Sequence, residues 1–160
     1  MRKPDVETVP VTDTATADTP AAGRDEAPQT PFYMLGGMPV FNAIAGRFYD
    51  LMETDPSYAE LRAMHSADLA PMRESLPQFL AGWAGGPRDW FEAHPGRCMM
   101  SIHKPFRITQ SSAQQWAEAM RRAIADVDPQ PRKVAEAMGE VLSDLCAAMA
   151  QRPPQTPAAS

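Results

Sequence analysis

Three histidines, His65, His94 and His103, have the widest chemical reach in this chain, and their spacing limits what they can do. No two lie three to five residues apart, the separation by which a helix or finger brings two imidazoles to one metal ion, so an all-protein zinc site is not expected. The two cysteines, Cys98 and Cys146, show neither CxxC spacing nor a dense disulfide framework, and read as reduced thiols, Cys146 as a core residue of an apolar helix. No nucleophile elbow or catalytic-cysteine signature surrounds a serine or cysteine. The glycine pairs at 36–37 and 85–86 read as turn punctuation, not a phosphate loop. His94, before Pro95, reads as a solvated turn residue.

What remains is chemistry that needs one imidazole. In MMSIHKPFRI, His103 ends an apolar run two residues before Pro105. A neutral ring projecting from a short helix into an apolar slot, with Met99, Met100 and Ile102 as neighbours, can hold haem iron on one face and leave the other open. The competing reading is a buried histidine at a helix end, its ring nitrogens satisfied by neighbours.

The elements that position this residue are helical throughout. Phe41, Ile44, Phe48 and Leu51 recur at steps of three and four and predict a helix that stops at Asp55-Pro56. Leu69, Met72, Leu76, Phe79, Leu80 and Trp83 mark a second helix, which Asp68 caps and Gly85-Gly86-Pro87 ends. Pro77 lies inside that stripe and predicts a bend or shift near Arg73 to Pro77. GGPRDWFEAHPG reads as a loop, followed by a short helix from about Gly96 to His103. Thr109, or Ser111 with Gln114, starts a helix carrying Trp116, Met120 and Ile124. Val134, Met138, Val141, Leu142, Leu145 and Met149 define the last. The class is all-α with five or six helices.

The chain of 160 residues, 44% hydrophobic, can enclose one core. Residues 1–31 and 152–160 read as disordered tails, leaving 32–151 as the folded domain. A formal charge of −5 argues against nucleic acid or an anionic membrane as partner, and no apolar run reaches spanning length. A cytoplasmic location is expected.

HKPFRI with Trp116 thirteen residues after the histidine, RFYDLM at 47–52, LRAMHSADL at 61–69 and FLAGWAGGP at 79–87 together resemble the truncated haemoglobins of the second group. The resemblance covers nearly all of residues 32–151 and implies a shortened globin fold, a two-over-two helical sandwich around haem. It implies haem b, with its iron held by His103. Tyr49, Trp116 and His65 match the polar distal positions, and Met72 and Leu76 the ligand-facing positions of the distal helix. Phe79, with Trp83, is expected to wall the core at the cofactor, and Lys104 and Arg107 to approach its propionates, the alternative being that both cations simply face solvent. Met72 stands where many relatives have a small residue, and its length fills part of the ligand entrance.

The implied function is reversible binding of oxygen and other diatomic ligands, nitric oxide and carbon monoxide, at a five-coordinate iron. Family members are also linked to nitric oxide dioxygenation and to peroxidase-like reaction with peroxide, which require an unidentified reductant. The alternative is a cofactor-free helical interaction domain with a proline-rich arm; a haem-based sensor lacks an attached output domain.

Overall fold

The computed structural model describes residues 28–103 and 105–150, with Met99 and Met100 described by backbone alone. The tail readings for residues 1–27 and 152–160, and the roles given to Lys104 and to the Met99 and Met100 side chains, lie outside the described residues. Among the described residues eight helices and one 3-10 turn follow in order: α1 (Pro31–Met34), α2 (Met38–Thr54), the 3-10 turn (Pro56–Tyr58), α3 (Ala59–Ala63), α4 (Ala70–Trp83), α5 (Asp89–Ala93), α6 (Met99–Ile102), α7 (Gln110–Val127) and α8 (Arg132–Ala150). No strand occurs among the described residues.

The four long helices form where the apolar spacing predicts them. Phe41, Ile44, Phe48 and Leu51 of α2 are all buried, and the helix stops where Asp55 turns its carboxylate onto the Ser57 amide, 2.9 Å away. The Arg122 guanidinium, 2.7 Å from Asp55, holds that carboxyl below its ordinary range and pins the end of α2 to α7. Helix α7 begins at Thr109, whose side chain accepts from the Ser112 amide while Ser112 Oγ accepts from the Thr109 amide; this reciprocal cap satisfies two otherwise unpaired donors. In α8, Met138, Leu142 and Cys146 face inward, and burial pushes the Cys146 thiol up to about 11.

Helix α2 packs on α4 and on α7, and α7 packs on α8, so two helix pairs stack as a two-over-two sandwich. The core runs between them through Phe41, Ile44, Phe48, Leu80, Ala119, Met120 and Leu142.

The structure corrects several expectations. Helix α4 runs from Ala70 to Trp83 with a buried Pro77 inside it, a residue that has no amide proton for the Arg73 carbonyl. Leu69 takes the cap position, with Asp68 Oδ1 accepting from the Ala70 amide at 3.0 Å. The segment after GGP is not plain loop: α5 lies in it because Trp90 and Phe91 pack on Phe79, with ring centres at 5.0 and 5.4 Å. Helix α6 is one turn, with His103 as its C-cap. The folded part also reaches back to Thr30, since Thr30 Oγ1 donates to the Gly85 carbonyl and the Phe32 amide to that of Ala84.

The last contact gives Gly85-Gly86 a second purpose. Gly85, at φ +89, reverses the chain so that the Gly86 amide reaches the Ala81 carbonyl at 2.8 Å, an ending that favours glycine. A Cβ on Gly86 would stand 2.4 Å from the buried Phe32 ring. Gly86→Ala is therefore expected to cost about 1–3 kcal/mol by overpacking and to lower the melting midpoint by roughly 5–10 °C. Thermal circular dichroism checks this; adding Phe32→Val should recover part of the loss, and an unchanged midpoint contradicts the docking of Phe32 there.

Candidate functional site

Four segments bring the nominated polar residues into one cluster. Tyr49 sits on the buried face of α2 beside Phe48 and is 1% exposed. Its ring lies 6.2 Å from that of His65, which follows α3, and the two meet edge to face. Trp116, on the first half of α7, joins from the other side: its ring centre is 5.5 Å from Phe48, which in turn is 5.0 Å from Tyr49. From α4, the Arg73 guanidinium lies 5.8 Å from the centre of the Tyr49 ring. No sequence signal points to Arg73 or to the bridging position of Phe48, because both depend on how α2 crosses α4 and α7.

Burial pushes the Tyr49 hydroxyl above the ordinary phenol range, against the opposing pull of Arg73, so the group stays a neutral O–H. Neither this hydroxyl nor the Trp116 indole N–H makes a hydrogen bond among the described residues, yet neither is a sealed, unsatisfied group. Two donors thus remain uncommitted among the described residues. His65 differs. Its Nδ1–H donates to the Leu61 carbonyl at 2.9 Å, which leaves Nε2 of the neutral ring as an acceptor. As a donor it would have to be imidazolium.

His103 closes α6 in right-handed helical geometry, half-buried, 6.3 Å from the exposed Phe106 ring. Ile102 before it packs against the core margin. Along α4, Leu69 and Phe79 are buried and Leu76 partly so, whereas Met72 on the same stripe is 39% exposed. Phe79 is engaged by Trp90 and Phe91. Arg107 is exposed and forms no ion pair among the described residues.

His94 is not the solvated turn residue expected. It caps α5, stacks on Trp90 with ring centres 4.4 Å apart and planes 21° apart, and donates from Nδ1 to the Trp90 carbonyl at 2.7 Å. Its stacked, hydrogen-bonded position is structural.

Among the described residues no three His, Cys, Asp or Glu side chains gather as a metal site. A groove of about 610 Å³ between α7 and α8, lined by Arg121, Ile124, Arg132 and Glu136 among others, contains none of the nominated residues. The donor set elsewhere fits haem: one imidazole, an apolar stripe on α4, and uncommitted phenol and indole protons.

Stacked helix pairs with this donor set define a globin of the shortened, two-over-two kind. The chain belongs to the bacterial-like globin family, whose model matches residues 30–151. It is similar to the group 2 truncated haemoglobin YjbI of Bacillus subtilis (strain 168), 28% identical over 59% of this chain and 70% of that protein. The structure of a cold-adapted truncated haemoglobin from the Antarctic marine bacterium Pseudoalteromonas haloplanktis TAC125 is 32% identical with a TM-score of 0.73, covering 78% of this chain and 100% of that one. A group II two-on-two haemoglobin from Agrobacterium tumefaciens is 27% identical with a TM-score of 0.74, over 81% of this chain and 100% of its own. The protein is thus a haem-binding globin of the second truncated group, and the cofactor-free helical reading loses its support. No described helix is long and apolar enough to cross a membrane.

Proposed function

We propose that this globin binds oxygen, and with it nitric oxide and carbon monoxide, reversibly at the iron of haem b. His103 would hold the iron, while Met72, Leu76 and Phe79 would line the apolar side of the cofactor and Lys104 and Arg107 would serve its propionates. When bound, the ferrous cofactor supplies the coordination position and the electron density that a diatomic ligand draws toward its outer atom. The chain supplies the rest. Tyr49 and Trp116 donate to that outer atom from fixed positions, and donors held rigidly in a dry pocket gain strength because no reorganisation is needed. His65, its Nδ1 proton committed to Leu61, packs its ring edge to face on that of Tyr49 and helps hold the phenol in place.

The observation that carries this reading is the pair of uncommitted donors, Tyr49 and Trp116, joined through Phe48. A pocket that retains oxygen also supports nitric oxide dioxygenation and peroxide reduction once a cytoplasmic reductant restores ferrous iron. The acidic chain with its two unbridged thiols suits that reducing compartment.

Absorption spectroscopy tests the proposal. Titration with hemin is expected to give an intense band saturating at one cofactor per chain, and the reduced protein's band shifts under carbon monoxide. Failure to saturate, or a band indifferent to carbon monoxide, overturns it.

A further inference from the structure

The Arg73 guanidinium is anchored where α4 crosses α2. One nitrogen donates to the Gly46 carbonyl at 3.2 Å, and another lies 2.8 Å from Asp50 Oδ1 and 3.6 Å from Glu53 Oε2. All three anchors belong to the stretch of α2 that carries Tyr49, and the same guanidinium stands over the Tyr49 ring at 5.8 Å. The Asp50 and Glu53 side chains are 54% and 42% exposed, so these ion pairs are wet and add little to stability. The arrangement is better suited to orienting a cation than to holding the fold.

We propose that Arg73 is a positioning residue of the distal pocket: held by Gly46, Asp50 and Glu53, it fixes the Tyr49 ring and strengthens the Tyr49 hydroxyl as a donor toward a bound diatomic ligand. The inference rests on the reading of Tyr49 as a ligand donor. A cation near a phenol stabilises negative charge on its oxygen, which makes the O–H more acidic and the hydrogen bond it donates stronger. Arg73 thereby offsets part of the effect of burying Tyr49. Asp50 and Glu53 hold the guanidinium in place and temper its charge.

The test uses the haem-loaded protein carrying Arg73→Met or Arg73→Lys, each made alone and in a Tyr49→Phe background. Two quantities are read: the oxygen dissociation rate, and the C–O stretching frequency of the carbon monoxide complex, which reports the electrostatic field at the ligand rather than turnover. Arg73→Met is expected to speed oxygen release about threefold to tenfold and to raise the C–O frequency. Arg73→Lys, which keeps the charge, recovers most of both. In the Tyr49→Phe background the ring and the helix contacts persist but the hydroxyl is gone, so Arg73→Met changes neither quantity further. Parent-like release and frequency in Arg73→Met overturn the inference while leaving Tyr49 as a donor. An effect that survives in the Tyr49→Phe background also overturns it, because Arg73 then acts through helix packing. If Tyr49→Phe alone changes neither quantity, the donor reading falls and this inference falls with it.

Discussion

Truncating His103 to alanine is expected to reduce hemin affinity by at least a factor of about a hundred, or roughly 2.8 kcal/mol at 1.4 kcal/mol per tenfold. On the proposed reading the iron would lose its protein ligand, and apolar contacts from Met72, Leu76 and Phe79 would have to retain the porphyrin unaided. His103 is half-buried and ends a one-turn helix, so the alanine variant should fold. Free imidazole, which can occupy the space left by the side chain, is expected to restore the parent band. His94→Ala serves as the control: that ring is engaged with Trp90, so its loss costs stacking but no coordination. A hemin titration of the parent and both variants decides the matter. Equal uptake and the same spectrum in parent and His103→Ala would remove His103 from the iron.

The second large effect is expected at Tyr49 and Trp116. Tyr49→Phe keeps the ring against Phe48, His65 and Arg73 and deletes only the hydroxyl. Hydrogen bonds to charged groups contribute about 1.5–3 kcal/mol, so oxygen should leave roughly ten to a hundred times faster. Trp116→Phe removes the indole N–H and part of a half-buried side chain, and should speed release about tenfold by the same reasoning. Because both donors address one small ligand, their effects should not add: once one is gone, the ligand shifts toward the other. Stopped-flow oxygen displacement on the two single variants and the double variant measures this. Parent-like dissociation in both single variants would take the two side chains out of ligand retention. His65→Ala should have a smaller effect, since its Nδ1 proton is committed to the Leu61 carbonyl.

The long helices α2, α4, α7 and α8 were legible in the chain because each repeats its apolar residues at helical spacing over several turns and carries recognisable ends, such as Thr109 and the Gly85-Gly86 pair. Helices α1, α3 and α5 were not legible. Each has five residues or fewer, barely one helical period, and α1 and α5 depend on contacts from outside themselves: Phe32 over Gly86, and Trp90 and Phe91 against Phe79.

The same division holds at the site. The resemblance nominated His103, Tyr49, Trp116 and His65, and histidine spacing alone removed protein-only zinc chemistry from consideration. That His65 meets Tyr49, that its proton faces Leu61, that Phe48 links Tyr49 to Trp116, and that Arg73 stands over the phenol were decided by the tertiary structure. Periodicity determines which face of a helix turns inward, and caps determine where the helix begins and ends. Which inward residues meet depends on the crossing of helices far apart in the chain, and that is set by how side chains interlock throughout the core.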